Sequence, residues 1–290
     1  MNTKTVAGIE YSLPQVYLLQ ETGIGTAEYA ARTAYDSFDK SENTIVKTIN
    51  EEVNAEASPV MIKEAYSDML NNIEHSDLLD SLAWVHHHHS VLEHANLTYL
   101  IKGTNRGTLQ EHARHRIQAI TVQSTRYTMS PIINAFVATM HKGGLPEFTN
   151  ILDKLDFLTI TDFAANLEIK HIWEKLDLQL MELGEEEFLK LALSKSNLKI
   201  YNDCLNTHTT EEMYDLLQRG KSKRNVGDNF KWIVTDNWKV DMVVTFNLRS
   251  LKNYFTLRES GAAYFQIRWL AQEMMKVTPK KYLDLIVKNK

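Results

Sequence analysis

Apolar residues recur at helical spacing through 60–84, at Val60, Ile62, Ala65, Met69, Leu70, Ile73, Leu78, Leu79 and Leu82. Pro59 suits the first turn of the helix this predicts. The Ala-rich run TAEYAARTAY, from Thr26 to Tyr35, reads as an earlier helix with Thr26 as its N-cap. Between Ala95 and Ile101 the short run ANLTYLI is rich in β-formers and predicts a strand. Thr104 to His112 then reads as helix, followed by a polar loop headed by Arg114 to Arg116. Val240 to Phe246, VDMVVTF, is a nearly unbroken apolar run, the pattern of a strand buried on both faces. Helical spacing resumes from Leu248 to Val277. Helices and strands are mixed along the chain, so the fold class is α+β, one mixed domain.

Residues 143–222 differ in texture, interleaving acidic and apolar residues of helix-forming type without clustered chemistry. They read as an all-helical insertion or lid on a catalytic core formed by residues 1–142 and 223–290. With 11 glycines and 5 prolines in 290 residues, no linker divides the chain.

Composition narrows the function classes. Hydrophobic residues at 43% and charged residues at 24% are ordinary for a globular protein and argue against disorder. A formal net charge of -5 gives no reason to expect a polymeric nucleic-acid partner, so any anion site must be a local concentration of Arg and His. Cys204 is the single cysteine, which excludes an internal disulfide and a Cys-based metal site. The first twenty residues lack the apolar core of a signal peptide and no run reaches membrane-spanning length, so a cytoplasmic protein with no membrane partner is expected.

Three clusters carry candidate chemistry. Arg114, His115 and Arg116 are followed after seven residues by Ser124, then Arg126 and Tyr127. Arginine's planar fork of donors suits phosphate oxygens, although a solvated basic face is the commoner outcome for such a pattern. The run His86 to His89 precedes Ser90, Glu93 and His94. Consecutive side chains converge poorly on a metal, so no metal site is expected there. In the third cluster, Arg249 and Asn253 lie four apart on one helix face after Asn247, while Arg258 falls off that face and would address another ligand or another subunit.

Together these clusters resemble the flavin-dependent thymidylate synthases. RHRIQAITVQSTRY is similar to that family's Arg-His-Arg, seven residues, Ser signature. HHSVLEHANLTYLIKG resembles its flavin-contacting strip, FNLRSLKNYFTLR a later segment, and AARTAY its first helix. The resemblance covers residues 27–37, 84–135 and about 231–285, in order. It implies a central, mostly antiparallel sheet flanked by helices and a homotetramer with shared active sites. It further implies C5 methylation of the deoxynucleotide monophosphate dUMP, with FAD as cofactor and methylenetetrahydrofolate and NADPH as co-substrates. No enzyme side chain attacks the base in that family.

Carried across, the resemblance places FAD on His88, Ser90, Glu93, Arg114, His115, Arg116, Asn247, Arg249 and Asn253. The nucleotide falls to Glu111, Arg114, Ser124, Arg126, Arg258 and Lys231, with Arg224 a substitute for Lys231 and with Arg258 and Ser124 in catalytic roles. Four places depart from the family pattern. Glu111 stands for Gln, Thr121-Val122 for Asn-Glu, and Ala262 for His; Ala263 to Ile267 varies an Ala-Gln-x-Glu-Ile run. A carboxylate beside a nucleotide phosphate is repulsive unless paired or protonated. These departures leave open a dCMP or UMP substrate, a hydroxymethyl product or a non-catalytic homologue.

Overall fold

The computed structural model describes residues 3–6, 9–128 and 239–288. The helical reading of 143–222, Cys204, Arg224 and Lys231 lie outside these residues. The described residues divide into two compact units, one comprising 3–6, 9–13, 103–109, 122–128 and 239–240, the other 14–102, 110–121 and 241–288.

In the first unit, β1 (Thr3–Val6) and β2 (Ile9–Ser12) form an antiparallel pair in the register Thr3↔Ser12 to Val6↔Ile9. Most of the second unit's strand residues belong to a four-stranded sheet in the order β3-β4-β6-β5, with β3 spanning Gln15–Glu21, β4 Asn96–Asn105, β5 Ala119–Val122 and β6 Lys239–Asn247. β3 and β4 are antiparallel, with an irregularity between Leu18 and Gln20. β4 and β6 are antiparallel too: Thr98 bonds Thr245 side chain to side chain at 2.9 Å, and the Leu248 N–H donates to the Ala95 carbonyl. The α+β class and the mainly antiparallel sheet hold.

One face of that sheet is the core. Leu97, Tyr99 and Ile101 of β4 and Met242, Val244 and Phe246 of β6 alternate inward and are buried. Val243 is exposed and Thr245 half-buried, so β6 is not covered on both faces as its apolar run implied. Valine and threonine fit a pleated strand on either face, which hid the alternation. The core is completed by Leu251, Tyr254 and Phe255 of α7 (Leu248–Arg258), Ile267, Leu270 and Met274 of α8 (Phe265–Val277), and Tyr282, Leu285 and Ile286 of α9 (Lys280–Ile286). The helical tail is thus interrupted, the break falling at Ser260-Gly261, where residues suited to turns replace helix formers.

The N-terminal helices are α1 (Gly25–Tyr35), α2 (Thr44–Asn54), α3 (Pro59–Asn71) and α4 (Asp77–Trp84). The periodic stretch 60–84 is two helices, because Ser76 starts a new one by accepting the Leu79 N–H at 3.4 Å. Pro59 does occupy the first turn of α3, yet no residue of that helix is buried. Thr26 is not the cap of α1; Ile24 holds that position, without a side-chain bond. What fixes this end is Gly23, at φ +68°, where an added Cβ would meet the Asn71 backbone at 2.4 Å. Its N–H donates to the Tyr282 hydroxyl at 2.9 Å, tying α1 to α9.

In the remaining segment, α5 (Arg106–His112) starts two residues later than its sequence indicated. Asn105 Oδ1 accepts the Thr108 N–H at 2.6 Å and caps it, leaving Thr104 in β4. A short α6 (Thr125–Thr128) follows β5.

Candidate functional site

Helix α7 leaves the sheet at Asn247, whose Oδ1 accepts the Ser250 N–H at 2.8 Å and caps it. Leu251, Tyr254 and Phe255 turn inward, whereas Arg249 and Asn253 are exposed. Arg258 stands one turn beyond Tyr254 at the end of the helix, its side chain 15% exposed. Its Nη1 lies 3.0 Å from Glu111 Oε2, its Nη2 donates to the Glu111 carbonyl at 3.0 Å, and its Nε donates to His115 Nε2 at 2.8 Å. Arg114 Nη1 approaches the other carboxylate oxygen of Glu111 at 3.4 Å. Two guanidinium groups therefore bracket one carboxylate.

The bond to Arg258 sets the state of His115. Arginine Nε carries a hydrogen and only donates, so His115 Nε2 must accept with its lone pair and the imidazole is neutral, its proton on Nδ1. Burial, and then the neighbouring Arg258 charge, lowers His115 to about 4. The ring stands edge-on to Tyr254, centroids 4.7 Å apart, and the Tyr254 hydroxyl meets His112 Nδ1 at 3.0 Å. His112 is fully buried beside Phe246; burial first, then His115, lowers it to about 3. Burial likewise raises Tyr254. Beneath the arginine lies a stack of three neutral rings.

A second group surrounds the 3-10 turn His89–His94, against which α1 and α7 pack. His88 Nδ1 is 2.6 Å from the Tyr35 hydroxyl, the rings nearly parallel at 9°. His88, Ser90 and Glu93 are exposed, and Glu93 pairs with Arg249. His89 turns back to the Ala83 carbonyl at 3.0 Å, and burial lowers its pKa. Lys252 donates to the same carbonyl at 3.0 Å with its Nζ 3.5 Å above the Trp84 ring, and burial lowers it to about 8.

The structure thus unites Glu111, Arg114, His115 and Arg258 in one cluster, and His88, Ser90, Glu93 and Arg249 around a neighbouring turn. Arg116 is exposed in the loop before β5. Ser124 and Arg126 belong to the other compact unit, where the Ser124 carbonyl accepts the Tyr127 N–H at 3.2 Å. Among the described residues no group of three His, Cys, Asp or Glu is arranged to hold a metal ion, and no helix is long and apolar enough to cross a membrane. A surface groove of about 600 Å³, lined by His75, Asp80, Trp84, Lys280 and Asp284 among others, contains none of the expected site residues.

Sequence reasoning passed over His112, Tyr254, Tyr35 and Lys252. Spacing held a clue to one of them: Tyr254 precedes Arg258 by four positions, so the two are set to share a helical face.

An α+β core thus gathers two arginines, an imidazole and a carboxylate near one helix end. Residues 18–282 match the family described as thymidylate synthase complementing protein, and the chain belongs to that family. A flavin-dependent thymidylate synthase of Wolinella succinogenes is 26% identical over 275 residues, 94% of this chain and 98% of its own. The Helicobacter pylori 26695 enzyme of the same name is 27% identical over 208 residues, 71% of this chain and 78% of its own. The crystal structure of H. pylori flavin-dependent thymidylate synthase ThyX complexed with FAD and dUMP superposes with TM-score 0.53 at 22% identity, covering 94% of this chain and 98% of that one. At that identity the likeness is one of fold.

Proposed function

We propose that this protein binds FAD and methylates C5 of dUMP to give dTMP, with methylenetetrahydrofolate as carbon donor and NADPH as reductant. It acts in the cytoplasm as a homotetramer with shared active sites. Family membership supports the reaction class, and two named features support the substrates: the relatives are called flavin-dependent thymidylate synthases, and the H. pylori structure holds FAD and dUMP.

The observation that carries the dUMP reading is the pairing of Glu111 with both Arg258 and Arg114. A lone carboxylate would repel a nucleotide phosphate; one bracketed by two guanidinium groups leaves the cluster positive, because the neutral His115 adds no charge. Arg258 offers its remaining N–H groups to a base carbonyl gaining negative charge, and Ser124 and Arg126 are assigned to the nucleotide phosphate.

The residues suit FAD. Arg249, Arg114, Arg116, His88, Ser90 and Asn253 are accessible donors of the kinds that take phosphate and ring heteroatoms, and Glu93 accepts from ribose hydroxyls. Because Asn247 Oδ1 is committed to its cap, the amide NH₂ is the part left for a ligand. Bound FAD, once reduced, supplies the hydride; the protein's task is to hold the two ligands in register. Exposed Tyr17, Leu19 and Val243 give apolar surface that association would cover.

The reading is tested by incubating purified protein with FAD, NADPH and methylenetetrahydrofolate against dUMP, dCMP or UMP, and weighing the products by mass spectrometry. dTMP from dUMP is expected. A hydroxymethyl product, or turnover of dCMP instead, replaces the proposed reaction. Flavin binding without turnover of any nucleotide makes the protein a non-catalytic homologue.

A further inference from the structure

We propose that Glu111 and His115 form a socket that sets the plane of the Arg258 guanidinium, acting as positioning residues for the nucleotide. This rests on the reading of Arg258 as a nucleotide contact. Arginine carries five N–H donors in a rigid plane. Three are spent on Glu111 Oε2, the Glu111 carbonyl and His115 Nε2, one from each guanidinium nitrogen. Three acceptors at three corners fix a plane, and they leave one N–H on each Nη for a ligand.

The socket draws on two segments. Glu111 lies in the last turn of α5 and His115 follows just after the helix, the His115 N–H donating to the His112 carbonyl at 3.1 Å. His112 is buried and bonded to Tyr254, one turn before Arg258 on α7. Socket and arginine are therefore tied together through the core as well as through their direct bonds, so the guanidinium is oriented before any ligand arrives. Such preorganisation spares the ligand the cost of ordering a long side chain.

The imidazole's role differs from that of a flavin donor. A protonated His115 would turn an Nε2 hydrogen against the Arg258 Nε hydrogen, so only the neutral ring completes the socket. The charged and titratable groups facing it are Arg258 and Tyr254 on α7 and Glu111 and His112 on α5, with Arg114 reaching it only across Glu111. The single negative charge among them, Glu111, is already shared by two arginines.

The test uses FAD-loaded protein, with dUMP affinity read by calorimetry and flavin content by absorbance. His115→Leu removes the acceptor while His115→Gln retains an amide oxygen able to replace Nε2. The expectation is about ten-fold weaker dUMP binding in His115→Leu, flavin content held, and recovery to within about two-fold in His115→Gln. Unchanged dUMP affinity in His115→Leu overturns the socket. Parallel loss of flavin and dUMP also overturns it, making His115 a flavin or structural contact. Arg258→Ala separates the underlying reading: normal dUMP affinity there shows that Arg258 does not touch the nucleotide. A double-mutant cycle of thermal stability between positions 115 and 258, without nucleotide, then tests the contact itself, and additive effects refute it.

Discussion

Two arginines nine residues apart on α7 each pair with a carboxylate from elsewhere in the chain, and the pairs are of different kinds. Arg258 is 15% exposed, donates from all three nitrogens and rests beside a buried aromatic stack. Arg249 is 56% exposed, and its partner Glu93 is 45% exposed. Exposed pairs contribute about 0.2–1 kcal/mol and exchange readily with water or with a ligand anion. A half-buried guanidinium bound at three points has no such freedom, because leaving would strand Glu111 and His115 without their donor. The same residue type on the same helix thus yields a fixed element and an exchangeable one.

Replacing Arg258 by Ala is the largest break. Loss of a preorganised donor at a developing charge costs about 100- to 1,000-fold in kcat. Steady-state turnover of dUMP should fall by that order while flavin content persists; turnover within a few-fold of the parent would equate the two arginines.

Acidification separates the buried stack from the exposed pair. His112 and His115 lie at about 3 and about 4, against an ordinary value of 6.5. Above about pH 6.5 the folded and unfolded chains are both neutral at these rings, and stability does not respond to them. As pH falls below that, the unfolded chain takes up protons that the folded chain refuses, and stability declines until the folded values are reached. For His112 alone the limiting slope is about 1.4 kcal/mol per pH unit, a ten-fold change per unit; the half-exposed His115 adds less. Melting temperature measured from about pH 7.5 to 5 should fall steeply in the parent and less in His112→Gln. Equal slopes would mean the stack does not govern the acid limb.

Arg249→Ala should sharpen the contrast from the other side. Stability should change by less than about 1 kcal/mol, whereas flavin affinity should weaken about ten-fold. Melting curves and flavin titration check the two halves, and undiminished flavin affinity would remove Arg249 from the site.

Glu111→Gln carries the smallest expected effect. The amide keeps one acceptor oxygen for Arg258, so specificity constants for dUMP should stay within about two-fold of the parent. If turnover collapses and use of uracil nucleotides rises relative to dCMP, the carboxylate reads a cytosine amino group instead.

How much of the site was legible depends on the range of the interaction. Residues four apart on a helix share a face by geometry, so Arg249 with Asn253, and Arg258 off their face, could be read directly. The pairing of Glu111 with Arg258 spans 147 positions, and no local rule connects them. Alternation on β6 was concealed because Val243, exposed, is as apolar as the buried Val244.

By itself the sequence determined the α+β class, the strands at β4 and β6 and the residue types of the three clusters, since periodicity and residue type act over a few neighbours. Tertiary structure alone decided that His115 is a neutral acceptor and that Glu111 is already neutralised. It also decided that one arginine of α7 is held in place and the other is accessible. Protonation and charge pairing depend on burial and on partners distant in sequence, and only folding supplies both.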